Sequence, residues 1–100
     1  MVEKVVTIKN RLGMHARPAA LFVKTASQFK SDVSVMKDGL EVNGKSIMGV
    51  MMLAAEQGSQ LVIRAHGEDE KEAIAALEKL IEDKFYEDDG PLPGGRNPGA

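Results

Sequence analysis

The residues with the clearest chemical potential lie between Gly13 and Pro18, where a histidine precedes an arginine. His15 stands directly before the apolar periodicity of a predicted helix, and Pro18 suits the first turn of that helix because it has no N–H to leave unpaired. Amides at a helix start lie at the positive end of the helix dipole and bind anions such as phosphate. The predicted anion donors are therefore the backbone N–H groups of Ala16 and Arg17.

His15 and Arg17 combine a nucleophile with a phosphate-binding group. A neutral imidazole has a lone pair that can attack phosphorus, and a guanidinium can bind two phosphate oxygens at once. Together they indicate a phosphohistidine site at His15, with Arg17 stabilising the phosphate. The alternative is an ordinary surface or helix-capping histidine, and the spacing alone favours that alternative.

Composition restricts the classes of function. The 100 residues fit one domain with a modest core and no cavity for a large cofactor. The 13 Lys and Arg against 15 Asp and Glu give a net charge of -2, which supplies no basic field for nucleic acid. Cysteine is absent, and His66 has no second ligand at metal-binding spacing. We predict no cofactor, no metal site and no nucleic-acid partner.

The N-terminal residues lack the apolar segment of a signal peptide, and no apolar run is long enough to cross a bilayer. We therefore expect a cytoplasmic protein without membrane insertion, and we expect it to be a monomer.

Hydrophobic periodicity predicts the element order βαββαβα. Asp38-Gly39 suits a two-residue hairpin turn because both residues accept positive φ. Ser46 is placed to cap the second helix, and Asp69 with Glu72 matches a capping box for the third. The predicted strands are Val2–Ile8, Asp32–Lys37, Leu40–Asn43 and Leu61–His66, and the predicted helices are Ala16–Phe29, Ile47–Leu53 and a last helix from the Asp69 cap to a basic end at Lys84.

The apolar stripes of these helices need one common sheet face. The expected fold is α+β, an open-faced β-sandwich in which a four-stranded, mostly antiparallel sheet carries three helices on one face. Residues 1–88 form the expected domain. Residues 89–100 are expected to be a disordered tail, because 90–100 contains four of the ten glycines and three of the four prolines.

Two segments carry a resemblance to a known family. Gly13–Ala20, GMHARPAA, resembles the active-site signature of the HPr phosphocarriers of the phosphoenolpyruvate:sugar phosphotransferase system. Lys45–Met51, KSIMGVM, resembles the second segment of that family, and the similarity extends from about Val2 to about Tyr86. The resemblance implies an HPr-like fold and a stoichiometric carrier rather than a turnover enzyme. His15 would receive phosphate on Nδ1 from phosphorylated enzyme I and donate it to IIA proteins, in sugar uptake or its regulation.

Ser46 has two interpretations. One is a helix N-cap, which requires no further function. The other follows from the resemblance, because Gram-positive members of the family have a matching serine that a dedicated kinase phosphorylates. In that case HPr kinase/phosphorylase and a transcriptional regulator would be further partners, and phosphate at Ser46 would alter docking.

The short second helix is apolar around much of its circumference, so one sheet face cannot bury all of it. Its methionines either fill gaps in the core or form a surface for several partners. The resemblance supports the second interpretation, since the first two helices form the shared docking face of the family. The predicted docking residues are Ala20, Lys24, Ile47, Met48, Met51 and Met52.

The branch of the family stays open. Asn10–His15, with Leu12 where sugar-transport members often have a small polar residue, is closer to the nitrogen-regulatory branch. Lys45–Gly49 instead resembles the sugar-type, kinase-regulated branch. A further alternative is a regulatory interaction module in which His15 is not phosphorylated.

Overall fold

The computed structural model describes residues 1–87 and has the predicted order of strands and helices. The predicted tail, 89–100, lies outside the described residues, as does the predicted domain end at residue 88. The strands are β1 (Val2–Thr7), β2 (Asp32–Lys37), β3 (Leu40–Asn43) and β4 (Gln60–His66); the helices are α1 (Ala16–Ala26), α2 (Ile47–Met52) and α3 (Glu70–Glu82), followed by a 3₁₀ turn, Lys84–Tyr86.

The four strands form one sheet in the order β1-β4-β2-β3, and all three pairings are antiparallel. Asp38 and Gly39 join β2 to β3 with φ values of 51° and 85°, which confirms the predicted hairpin turn. Alternate residues of β4 are buried, as its period-2 pattern predicts. One face of the sheet is therefore apolar and receives the helices.

The helices share one buried core with that face of the sheet, which confirms the open-faced sandwich. α3 packs on β1 and β4, while α1 contacts both α2 and α3. Within residues 1–87, no helix is long and apolar enough to cross a membrane. The helical residues that close the core are Ala19, Phe22, Ala26, Val50, Ala73, Ile74, Leu77, Leu80 and Ile81.

The predicted capping box of α3 is wrong. Asp69 is the N-cap residue, but its side chain makes no capping hydrogen bond. Its carboxylate instead accepts hydrogen bonds from the Lys30 amide at 2.8 Å, the Ser31 amide at 2.9 Å and the Ser31 hydroxyl at 2.5 Å. At the helix start it is Glu70, not Glu72, that accepts from a backbone amide, the Gly67 N–H at 3.1 Å. Asp69 therefore ties α3 to the loop before β2.

Three predicted helix ends also need correction. α1 ends at Ala26 instead of Phe29, and α2 ends at Met52 instead of Leu53. α3 ends at Glu82, so Lys84 lies outside it, in a turn where its φ is 56°. A left-handed backbone cannot continue a right-handed helix, so α3 ends before Lys84.

Asp69 makes stability depend on acid pH. Its hydrogen bonds to the Ser31 hydroxyl and the Lys30 amide hold the pKa of Asp69 below its ordinary value. The unfolded chain therefore takes up this proton first as the pH falls, so the contribution of Asp69 is present above about pH 4 and is lost below it. Asp69→Asn should lower stability at neutral pH and flatten its decline in acid.

Urea denaturation across that pH range measures both effects. Asp32→Asn is the matched control, because Asp32 is exposed and next to the same loop. An Asp69→Asn protein that keeps the full acid dependence of the wild type would contradict the prediction.

Candidate functional site

Gly13 places the loop that leads into α1. Its φ is +74°, and a Cβ built on it would lie 2.9 Å from the Cα of Glu56 and even nearer to the carbonyl of Ala55. The next amide, that of Met14, donates to the Ala55 carbonyl at 2.8 Å. A residue with a side chain would push this loop away from the segment after α2. The glycine thus allows the loop before α1 to lie against the segment after α2.

His15 is the N-cap residue of α1. Its carbonyl accepts from the Ala19 amide at 2.9 Å, while its imidazole makes no capping hydrogen bond. The side chain is 38% exposed. The imidazole therefore stands at the helix start without serving the helix as a cap, which is not the ordinary capping histidine of the alternative interpretation.

The imidazole contacts a carboxylate from the end of the described chain. Nε2 of His15 lies 2.8 Å from Oε2 of Glu87, whose side chain is 13% exposed. A carboxylate only accepts hydrogen bonds, so Nε2 must donate. In a neutral imidazole this leaves the lone pair on Nδ1, the nitrogen at which the family resemblance places phosphate.

Asn10 is a second residue that sequence reasoning missed. It is fully buried, and its Nδ2 donates to the Gly13 carbonyl at 2.8 Å and to Oε1 of Glu87 at 3.0 Å. Neither residue gave a usable signal: Glu87 lies 72 residues from His15 in a run of acidic residues, and Asn10 reads as a strand-end residue. Only the folded chain brings the three together.

The predicted phosphate-binding residues lie in the first turn of α1. Ala16 and Arg17 are both exposed there, adjacent to His15. Arg17 makes no salt bridge with any other residue in the described range. Its guanidinium is available to an anion at the helix start.

Ser46 caps α2 as predicted. Its hydroxyl oxygen accepts from the Gly49 amide at 3.0 Å. The neighbouring Lys45 is turned inward, with Nζ donating to the Phe29 carbonyl at 2.8 Å. The capping interpretation is confirmed, and it leaves the hydroxyl proton of Ser46 unused by that bond.

The residues predicted to dock partners are all exposed, and α1 and α2, which carry them, pack against each other. Met48 is 73% and Met52 65% exposed, so the interpretation of these two as core fillers is wrong. Only Val50 of α2 is buried. We call this surface the α1–α2 face: Ala20, Lys24, Ile47, Met48, Met51 and Met52.

Comparisons with known proteins agree with this geometry. The family described as PTS HPr component phosphorylation site matches residues 2–83. The phosphocarrier protein HPr of Xylella fastidiosa (strain Temecula1) is 50% identical over 88 residues, 88% of this chain and 99% of that protein. The crystal structure of HPr-C-His from Thermoanaerobacter tengcongensis is 56% identical with a TM-score of 0.85, covering 88% of this chain and 99% of that one.

A third relative is the Bacillus subtilis protein Crh. Its crystal structure, described as a dimer with a swapped domain, is 46% identical with a TM-score of 0.68, over 84% of this chain and 97% of that one. The fold and these similarities define a phosphocarrier protein. The chain belongs to the HPr family of the phosphotransferase system.

The position of Gly13 can be tested by substitution. Gly13→Ala combines left-handed strain with a collision against backbone, and we expect it to reduce the free energy of unfolding by about 3 kcal/mol. Gly58→Ala is the matched control: φ is +89° there, but nothing lies within 4 Å of the added methyl group. It should lose only about 1 kcal/mol. Equal losses in denaturant unfolding would refute the argument from the close approach.

Proposed function

We propose that His15 accepts a phosphoryl group on Nδ1 from phosphorylated enzyme I and passes it to a IIA protein. The observation that carries this proposal is the placement of His15, whose half-exposed imidazole stands at the start of α1 with Nε2 directed to Glu87. The chain then acts as a stoichiometric carrier rather than a turnover enzyme. The cytoplasmic location expected from the sequence belongs to the same proposal.

The transfer needs only a lone pair and a place for the phosphate charge. The Nδ1 lone pair of His15 attacks phosphorus, the N–P bond forms, and the donor keeps the electron pair of the bond that breaks. Onward transfer to a IIA protein reverses these roles. Arg17 and the amides of Ala16 and Arg17 offset the negative oxygens during both steps.

Incubation with enzyme I and phosphoenolpyruvate tests the proposal, read by intact mass. We expect one acid-labile phosphoryl adduct on the wild type and none on His15→Ala. Arg17→Ala should form the adduct at least about tenfold more slowly, because a charged group that stabilises the transition state is lost. An adduct that survives in His15→Ala would refute the carrier role.

The α1–α2 face supports partner docking. It presents flexible thioethers and one cation, Lys24, on the two helices that adjoin His15 and Ser46. Flexible apolar side chains suit a surface that binds several partners, here enzyme I and IIA proteins. Leu12, 69% exposed, adds apolar surface close to His15.

Met48→Asp should weaken binding of enzyme I or of a IIA protein by about 10- to 100-fold, since it puts a charge into an apolar contact. Val5→Asp is the control: Val5 is 58% exposed, but it lies on β1. Titration calorimetry measures both. Equal weakening by the two variants, or none by Met48→Asp, would remove Met48 from the interface.

Regulation through Ser46 stays a prediction, as do the kinase and transcriptional regulator that it would require. In its favour, Ser46 is partly exposed at the start of α2, so phosphate there would adjoin Ile47 and Met48 on the docking face. The monomeric state also stays a prediction, beside a relative described as a dimer.

Two features bear on the branch of the family. The exposed Leu12 fits the nitrogen-regulatory alternative, while the resemblance of Lys45–Gly49 favours the sugar-type one. The non-phosphorylated interaction module is the weaker alternative, because Arg17 stands exposed beside a half-exposed His15.

A further inference from the structure

A chain of hydrogen bonds runs from the interior to the imidazole. Nδ2 of Asn10 donates to Oε1 of Glu87 at 3.0 Å, and the other oxygen of that carboxylate accepts from Nε2 of His15 at 2.8 Å. We infer that Asn10 is a positioning residue that acts through Glu87 and fixes which nitrogen of His15 carries the proton. This inference rests on the proposed function, in which Nδ1 is the nucleophile.

The orientation of the Asn10 amide is fixed by its surroundings. Nδ2 also donates to the Gly13 carbonyl at 2.8 Å, and a carbonyl can only accept. The NH₂ end must therefore face Gly13 and Glu87. Oδ1 is then buried without a hydrogen-bond partner among the described residues, a desolvation cost that an apolar side chain would not carry. What Asn10 contributes is its donor.

Glu87 is held in place by an unusual backbone. Lys84, Phe85 and Tyr86 have φ values of 56°, 56° and 60°, a left-handed conformation that costs free energy for residues with a side chain. Phe85 is 1% exposed and anchors this turn in the core. The turn is followed directly by Glu87, whose carboxylate reaches His15. Burial of Phe85 offsets the strain, and the result is a fixed carboxylate.

The carboxylate also has an electrostatic role during transfer. When neutral His15 attacks through Nδ1, the N–P bond forms, the donor keeps the electrons of the broken bond, and the proton on Nε2 stays. The phosphorylated ring then carries positive charge beside Glu87. A carboxylate that sets the tautomer of a histidine and stabilises its cationic form is an established catalytic arrangement in hydrolases.

The fixed amide of Asn10 gives an unusual prediction. In Glu87→Gln, the new amide oxygen must accept from Nδ2 of Asn10, so the new NH₂ group faces His15. Nε2 must then accept, and the imidazole proton moves to Nδ1, where it blocks attack. Glu87→Ala only removes the acceptor for Nε2, so the imidazole of His15 can carry its proton on either nitrogen. Glu87→Gln, although closer in shape to the wild type, should therefore reduce phosphorylation of His15 more than Glu87→Ala does. A merely structural role of Glu87 would not produce that order.

¹⁵N NMR of the neutral imidazole in the unphosphorylated protein reads the tautomer directly. We expect the Nε2–H form in the wild type, a mixture in Glu87→Ala and the Nδ1–H form in Glu87→Gln. Glu72→Gln, an exposed acid on α3, is the matched control and should match the wild type. If Glu87→Gln retains the Nε2–H form, the inference is overturned.

A double-mutant cycle tests whether Asn10 acts through Glu87. Asn10→Ala should shift the tautomer toward a mixture in the wild-type background and add nothing in Glu87→Ala. If Asn10→Ala does not fold, Asn10→Asp keeps the shape but turns an acceptor toward Glu87, and the same shift is expected. No shift in the variant that folds, or an equal shift with and without Glu87, would refute the relay.

Phosphoramidate, a small phosphoryl donor that needs no docking, tests the consequence for chemistry. The wild type should be phosphorylated on Nδ1, at a rate about tenfold lower in Glu87→Ala and about a hundredfold lower in Glu87→Gln. In Glu87→Ala, part of the phosphoryl group should appear on Nε2. Unchanged rates and unchanged position would overturn the inference.

The two proposals fail separately. The tautomer is measured in the unphosphorylated protein. If enzyme I fails to phosphorylate the chain, the proposed function is refuted, but the role of Asn10 and Glu87 in setting the tautomer is not. Normal phosphorylation by enzyme I together with a tautomer indifferent to Glu87 would refute the relay alone.

Discussion

The close approach of Gly13 to the backbone at Ala55 is the contact on which the site depends. Gly13 is also a centre of local hydrogen bonding: its amide donates to the Asn10 carbonyl at 3.2 Å, and its carbonyl accepts from the His15 amide at 3.0 Å and from the Asn10 side chain. Because no Cβ intervenes, the loop before α1 lies against the segment after α2. One small residue thus places His15 at the start of α1 and brings this loop against the segment that follows α2.

The polar contacts that organise this fold link distant parts of the chain. Asp69 binds the loop at Lys30 and Ser31 across a separation of 38 or 39 residues. Glu87 binds Asn10 and His15 across separations of 77 and 72. In both cases a carboxylate accepts several hydrogen bonds at once, so it adds polar contacts between a loop and a distant segment to the apolar packing of the core. The first serves stability and the second lies at the site.

Local patterns predicted the fold well because their causes are local. The Asp38-Gly39 turn depends on which residues accept positive φ, the Ser46 cap on an oxygen three residues from an amide, and the strands and helices on the spacing of apolar side chains. In two of the wrong predictions, a contact outside the local segment overrides the local sequence pattern. Asp69 and Glu72 fit a capping box in sequence, but a pair of backbone amides from another loop competes for Asp69 and binds it more fully. The predicted end of α3 was wrong for a similar reason, because the burial of Phe85 outweighs the free-energy cost of the left-handed turn that follows the helix.

The sequence by itself determined the element order, the single sheet face and the position of His15 and Arg17 at a helix start, since each depends on neighbours within a few residues. It also supplied the apolar side chains of α2. The tertiary structure decided which of those side chains face solvent, because among the residues of α2 only Val50 is buried in the core. The tertiary structure also decided that Glu87 binds both Asn10 and the imidazole of His15. No local pattern encodes these contacts, because they require the turn at Phe85 to bring Glu87 back to the loop before α1.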